Sequence, residues 1–171
     1  MSARRTLTAL ALAGAAATVG FAAPVQAASH ATPLSCSGWI NIGDPGNYYS
    51  YGQYAGQVEQ EYDTCSGAVM AHWQWSANFA YNHPGAEVIV EVESTSGVIQ
   101  HGYGYGNGNK DVWAYDNNIH DANPDTWYAH AVLFSDCGNI MGAMGTTHRY
   151  ADGGTDAPAK TGGCDLYGNW Y

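Results

Sequence analysis

The sequence predicts an all-β fold, an antiparallel β-sandwich or jelly-roll-like single domain. Three observations lead there. Apolar and polar residues alternate with a period of two through several runs, as in half-buried strands. Clusters of turn-forming residues separate those runs at roughly 10–20 residue intervals. Helix signals are nearly absent beyond the N-terminal segment, where Leu is scarce and Gly makes up 22 of the 171 residues.

The first element is read as a delivery signal. Arg4 and Arg5 supply a short positive region, Leu7 to Ala23 is apolar or small without charge, and Val25-Gln26-Ala27 fits a small-x-small cleavage rule. The apolar stretch lies at the lower edge of a bilayer span and ends at a cleavage site, which argues against a retained anchor. The residues around the arginine pair match a twin-arginine signal only in part, so the general secretory route is expected. Residues 1–27 are thus expected to be removed as a secretory signal peptide, leaving 28–171 as a single secreted β domain. Removal takes Arg4 and Arg5 but none of the 15 acids, so the formal net charge moves from -10 to -12. That acidity excludes nucleic acid and anionic lipid as partners, since both need a basic patch. With no long apolar run left, no membrane partner is expected after cleavage.

The strands follow in order. Gln57 to Tyr62 alternates imperfectly. In Ala68 to Ser76, Val69, Ala71, Trp73 and Trp75 share one face, which assigns both tryptophans to the core, while Met70, His72, Gln74 and Ser76 share the other. Glu87 to Glu93 is the clearest strand, with Val88, Val90 and Val92 inward and Glu87, Glu91 and Glu93 toward water. Trp127 to Phe134 sets Ala129, Ala131 and Leu133 opposite His130 and Val132, and Ile140 to Thr147 is a further strand thinned by Gly142 and Gly145. The breakers are Asp44-Pro45-Gly46-Asn47, Asn82-His83-Pro84-Gly85, Ser94 to Gly97 and Asp152-Gly153-Gly154. The tail beyond Ala151 reads as loop.

Four cysteines, Cys36, Cys65, Cys137 and Cys164, read as two disulfides in an exported chain. Three connectivities are open, and nearest-neighbour pairing, Cys36 with Cys65 and Cys137 with Cys164, is favoured. No C-x-x-C pair supports a zinc-thiolate site.

The aromatic composition carries the functional reading. Tyr (13) and Trp (6) outnumber Phe (3), and these rings with polar tips suit half-wet surfaces. Tyr48 to Tyr54 is a tyrosine-dense loop or edge, and His101 to Asn109 sets rings on one strand face with glycines opposite. A sugar ring stacks its apolar face on such aromatics while amides bind its hydroxyls. The expected ligand-binding residues are therefore Tyr103, Tyr105, Asn107 and Trp113, and the expected partner is a polysaccharide or cell-wall material. The competing reading is that these tyrosines merely cover the core. The glycines from Gly102 to Gly108 do not make a phosphate loop, because Lys110 to Tyr115 reads as strand rather than helix.

The segment Asp116 to Asp125 is rich in side-chain oxygens, and Asp116, Asn118, Asp121 and Asp125 are the candidate ligands of an irregular calcium site. An EF-hand is excluded, since Thr126 replaces the turn glycine and Val132 the bidentate Glu. A solvated turn is the plainer reading, and no cofactor is otherwise expected. Glu59 with Glu61, or Glu91 with Glu93, shares a strand face and raises a glycoside hydrolase as the alternative. The composition is similar to that of compact xylanases, although no catalytic motif of that family can be placed. No G-x-S-x-G or H-E-x-x-H occurs. His72 and His130 both face away from the apolar set and are expected to be able to meet across a sheet, as a pH-sensitive pair or two metal ligands.

With its export signal, its Ala, Gly, Trp and Tyr usage and its cysteine pairs, the whole chain resembles small secreted proteins of high-GC actinobacteria. That resemblance implies secretion and names no activity. Small secreted protease inhibitors share the size class, which leaves an interaction or inhibitor protein as a third reading.

Overall fold

The computed structural model describes residues 36–95, 97–108, 110–116, 119, 126–134, 136–139 and 141–171. The expected signal peptide lies outside them. Among the described residues no helix is long and apolar enough to cross a membrane.

The chain is mostly β, in two sheets. Its strands are β1 (Trp39–Ser50), β2 (Gln53–Asp63), β3 (Val69–Trp75), β4 (Glu87–Ser94), β5 (Gly97–Tyr105), β6 (Asp111–Asp116), β7 (Thr126–Leu133), β8 (Ala143–Met144), β9 (Thr147–Arg149), β10 (Gly154–Ala157) and β11 (Gly162–Gly163). One short helix, α1 (Ala77–Asn82), follows β3. The five-stranded sheet runs β11-β1-β2-β3-β6, and the second runs β10-β9-β7-β4-β5 with β8 on β7. Neighbours are antiparallel except β1 and β11, which run parallel through Tyr48 opposite Gly162 and Tyr49 opposite Gly163. The purely antiparallel expectation is corrected at that one pair.

Alternation explains the core. Val58, Val69, Ala71 and Trp73 point inward from the first sheet, and Val88, Val90, Val92, Ala129, Ala131 and Leu133 from the second, forming one buried cluster with Tyr48 and Trp127. Full burial of each such Val or Leu side chain stabilises by about 1.5–3 kcal/mol. Trp73 and Trp75 are both buried, as their strand face predicts. One buried amide is tied in through its nitrogen: Gln60 Nε2 donates to Tyr150 Oη at 2.9 Å.

Several elements depart from expectation. Asp44-Pro45-Gly46-Asn47 does not end a strand but lies inside β1. The register jumps there, from Ile42 opposite Gln60 to Gly46 opposite Val58, so a bulge takes up Pro45, which has no N–H for the ladder. The bulge is fastened to the loop after β8: Asp44 N donates to Thr146 Oγ1 at 2.8 Å, and Thr146 N donates to Asp44 O at 3.0 Å. The tyrosine-dense stretch is the β1–β2 hairpin, whose turn residues Tyr51 and Gly52 both have positive φ, 46° and 77°. α1 was not expected. Ser76 caps it by accepting from Phe79 N at 3.4 Å, and Phe79 is buried against Trp75. The expected strand from Ile140 to Thr147 shrinks to β8 and the start of β9, and the tail supplies β10 and β11 rather than loop alone.

Cys137 and Cys164 form a disulfide with Cα atoms 5.7 Å apart. Cys36 and Cys65 are exposed, unbridged thiols. They lie together, and the hydrogen bond between them pushes the Cys36 thiol up. The expected pairing is thus met by one disulfide and one near pair.

Candidate functional site

The outward face of the five-stranded sheet is polar and aromatic. Because β2, β3 and β6 are neighbours in register, Glu59 stands opposite His72, and His72 opposite Trp113. The imidazole and indole rings stack with centroids 3.9 Å apart and planes 6° apart. One face of Trp113 is therefore covered, while the residue remains 44% exposed. Tyr115, two residues along β6, is exposed beside it.

Amides and acids continue the face across β3, β2 and β1. Gln57 Nε2 donates to Glu59 Oε1 at 2.6 Å and to Gln74 Oε1 at 3.2 Å. Asn41 Nδ2 donates to Glu59 Oε2 at 3.2 Å, and Tyr54 Oη donates to Gln57 Oε1 at 3.3 Å. His72 Nδ1 lies 2.9 Å from Glu61 Oε1 and 3.9 Å from Glu59 Oε2, and its Nε2 lies 3.4 Å from Asp111 Oδ1. His72 is only 6% exposed, and Nε2 has no hydrogen-bond partner.

A similar arrangement occurs on the second sheet. Register places Glu91 opposite His130, and His130 Nδ1 lies 2.9 Å from Glu91 Oε2 and 2.7 Å from Glu93 Oε1. Tyr128 Oη donates to Glu93 Oε2 at 2.6 Å. Burial opposes the imidazolium, but the two carboxylates outweigh it and push His130 up to about 9. Burial likewise opposes the Glu93 carboxylate, yet the bonds from His130 and Tyr128 hold it below the usual range. Gly142 packs against the ring so closely that no Cβ would fit. A cavity of about 430 Å³ opens there, lined by His130, Met141, Gly142, Met144, Lys160, Thr161 and Tyr171.

Two expectations about these residues are corrected. His72 and His130 do not meet, because β3 and β7 belong to different sheets. Glu91 and Glu93 are not simply directed into water, since each holds His130. Each histidine instead gathers the two glutamates of the neighbouring strand, and among the described residues the two trios are the groupings whose ligand atoms could hold a metal ion.

The other sequence-derived residues are distributed as follows. Tyr103 and Tyr105 are exposed on β5, where His101 packs edge-on against Tyr103. Asn107 is exposed in the turn after β5, its N–H bonded to Pro84 O. Gly102 and Gly104 on the opposite side of β5 pack directly on Trp113 and Val112 of β6, with no room for a Cβ. β5 and β6 thus meet along one edge, but Tyr103 and Tyr105 belong to the outer face of one sheet and Trp113 to that of the other. The structure brings Trp113 together with His72, Gln74 and Asp111 rather than with the tyrosine pair. Of the calcium candidates, Asn118, Asp121 and Asp125 lie outside the described residues, and Asp116 ends β6 opposite Val69. Sequence reasoning missed Tyr115, Gln57, Gln74 and Asp111. Their signal was the same period-two alternation, but only strand pairing shows which faces are shared.

No family model, no curated protein and no solved structure matches this chain.

Proposed function

We propose that the protein is an exported, non-catalytic binding module for carbohydrate or cell-wall material, and that its two sheets pack face to face as a sandwich stapled by two disulfides. The single cluster drawn from both inner faces supports the sandwich, and the adjacency of Cys36 and Cys65 supports the second bridge. One observation carries the function: Trp113 is fixed flat on His72 with its other face open, next to exposed Tyr115 and a row of amide and carboxylate side chains. A ring already held in place loses little freedom when a sugar stacks on it. Gln74, Gln57 and Asp111 lie within the same face to receive hydroxyl groups. Tyr103 and Tyr105 offer a second ring pair across the β5–β6 edge, with Asn107 at its end.

Co-sedimentation of the oxidised protein with insoluble polysaccharides and purified cell walls tests this reading. Binding to one polymer is expected, without release of reducing sugar. Trp113→Ala is expected to abolish the binding while the thermal midpoint moves by a few degrees at most. The double variant Tyr103→Ala, Tyr105→Ala measures the second ring pair. If Trp113→Ala binds as the parent does, this face is not the site.

A further inference from the structure

Three carboxylates surround one buried imidazole at His72, and no arrangement of the neutral ring satisfies all of them. With the proton on Nδ1, Glu61 receives it, but the lone pair of Nε2 faces the Asp111 carboxylate at 3.4 Å. With the proton on Nε2, Asp111 gains a donor, but the lone pair of Nδ1 faces Glu61 at 2.9 Å and Glu59 at 3.9 Å. Nε2 finds no hydrogen bond as it stands, although the residue is only 6% exposed. Among the described residues no Lys or Arg is ion-paired to the group: Arg149 is engaged by Asp152 and Asp156, Lys160 lines the His130 cavity, and Lys110, next to Asp111 in the chain, pairs with none of the three carboxylates. The His130 trio differs. There both glutamates share one nitrogen, so a single proton on Nδ1 serves both.

We propose that Glu59, Glu61 and His72 bind a divalent transition-metal ion, for which zinc is the natural probe. One imidazole nitrogen with two carboxylate oxygens is a donor set that zinc accepts, leaving a fourth position for water. The three ligand atoms lie within 4.8 Å of one another. A tetrahedral ion with bonds of about 2.0–2.2 Å spaces its ligands about 3.4 Å apart, within reach of a small side-chain rotation. The ion takes the place of the Nδ1 proton and cancels the facing charges of Glu59 and Glu61. The remaining proton then sits on Nε2, pointing at Asp111. That completes the carboxylate–histidine–metal chain by which a second carboxylate orients a ligating ring. Asn41 and Gln57 already orient the Glu59 carboxylate with two amide bonds. Asp111 is thus a positioning residue; it and His72 also belong to the saccharide face, but zinc binding is read without any saccharide present.

The test is calorimetric titration of zinc chloride into the tag-free, chelator-treated oxidised protein at neutral pH, repeated with cobalt to read visible bands of nitrogen and oxygen ligation. One equivalent is expected to bind. Glu59→Gln is expected to weaken binding at least tenfold and Asp111→Asn by about tenfold or more, with Glu91→Gln unchanged. Glu59 is only partly buried, so Glu59→Gln reports even if His72→Gln fails to fold. Absence of binding overturns the proposal. Binding that survives Glu59→Gln, or that is lost in Glu91→Gln instead, overturns it as well.

Discussion

His130 shows how one side chain can couple this fold to pH. Its imidazole titrates near 6.5 in an unfolded chain and is pushed up to about 9 in the folded one. The stability this contributes is fully present below about pH 6.5 and is lost as pH rises through about 9, a difference worth about 3 kcal/mol at most. Urea unfolding is expected to show a midpoint that falls between pH 7 and 9.5, and His130→Gln should flatten that fall. A slope that persists in the variant would assign it to another group. Gly163 makes a second residue-scale case. Its φ is +88°, and a Cβ there would collide with the Tyr49 carbonyl across the parallel pair. Gly163→Ala is expected to destabilise by more than about 2 kcal/mol, measured by the same denaturation. Histidines pointing away from the core were legible from alternation. Their glutamate partners were not, because the register that sets Glu59 opposite His72 and Glu91 opposite His130 depends on strands that pair through tertiary structure.

Among the elements, those with a clean alternation of apolar and polar residues were the readable ones. β3, β4 and β7 are found where Ala68 to Ser76, Glu87 to Glu93 and Trp127 to Phe134 placed them. β1 was hidden because Asp44-Pro45-Gly46-Asn47 has the chemistry of a turn, yet in the fold it forms a bulge fastened by hydrogen bonds to Thr146. α1 was hidden because six residues are too few to display a helical period. The β1–β2 hairpin was obscured because Tyr51 occupies a position that Asn or Gly usually fills. That mismatch gives a prediction for the element. Tyr51→Asn relieves a left-handed tyrosine at an exposed turn and is expected to stabilise the hairpin by about 0.5–1 kcal/mol, raising the thermal midpoint by a few degrees. An unchanged or lower midpoint would show that the Tyr51 ring contributes packing that outweighs the strain.

At the scale of the molecule, the two sheets share one core, and the disulfide between Cys137 and Cys164 holds the segment after β7 to the strand that completes the first sheet. It closes a loop with a sequence separation of 27, worth about 3–4 kcal/mol in the chain-entropy picture. Replacing both cysteines by Ser is expected to lower the unfolding free energy by that amount; a loss below about 1 kcal/mol would mean that the unfolded chain is already constrained there. The pairing of β1 with β11 reaches further, into the order in which the fold is built. β1, β2 and β3 are joined by short connections and can assemble among themselves, whereas the far edge of β1 waits for residues 162–163. Until they arrive, Tyr48 and Tyr49 present an unpaired edge, open to a strand from a second copy of the same chain. Refolding yield should therefore fall as protein concentration rises, because the last strand to arrive competes with a neighbouring molecule for the same row of backbone groups.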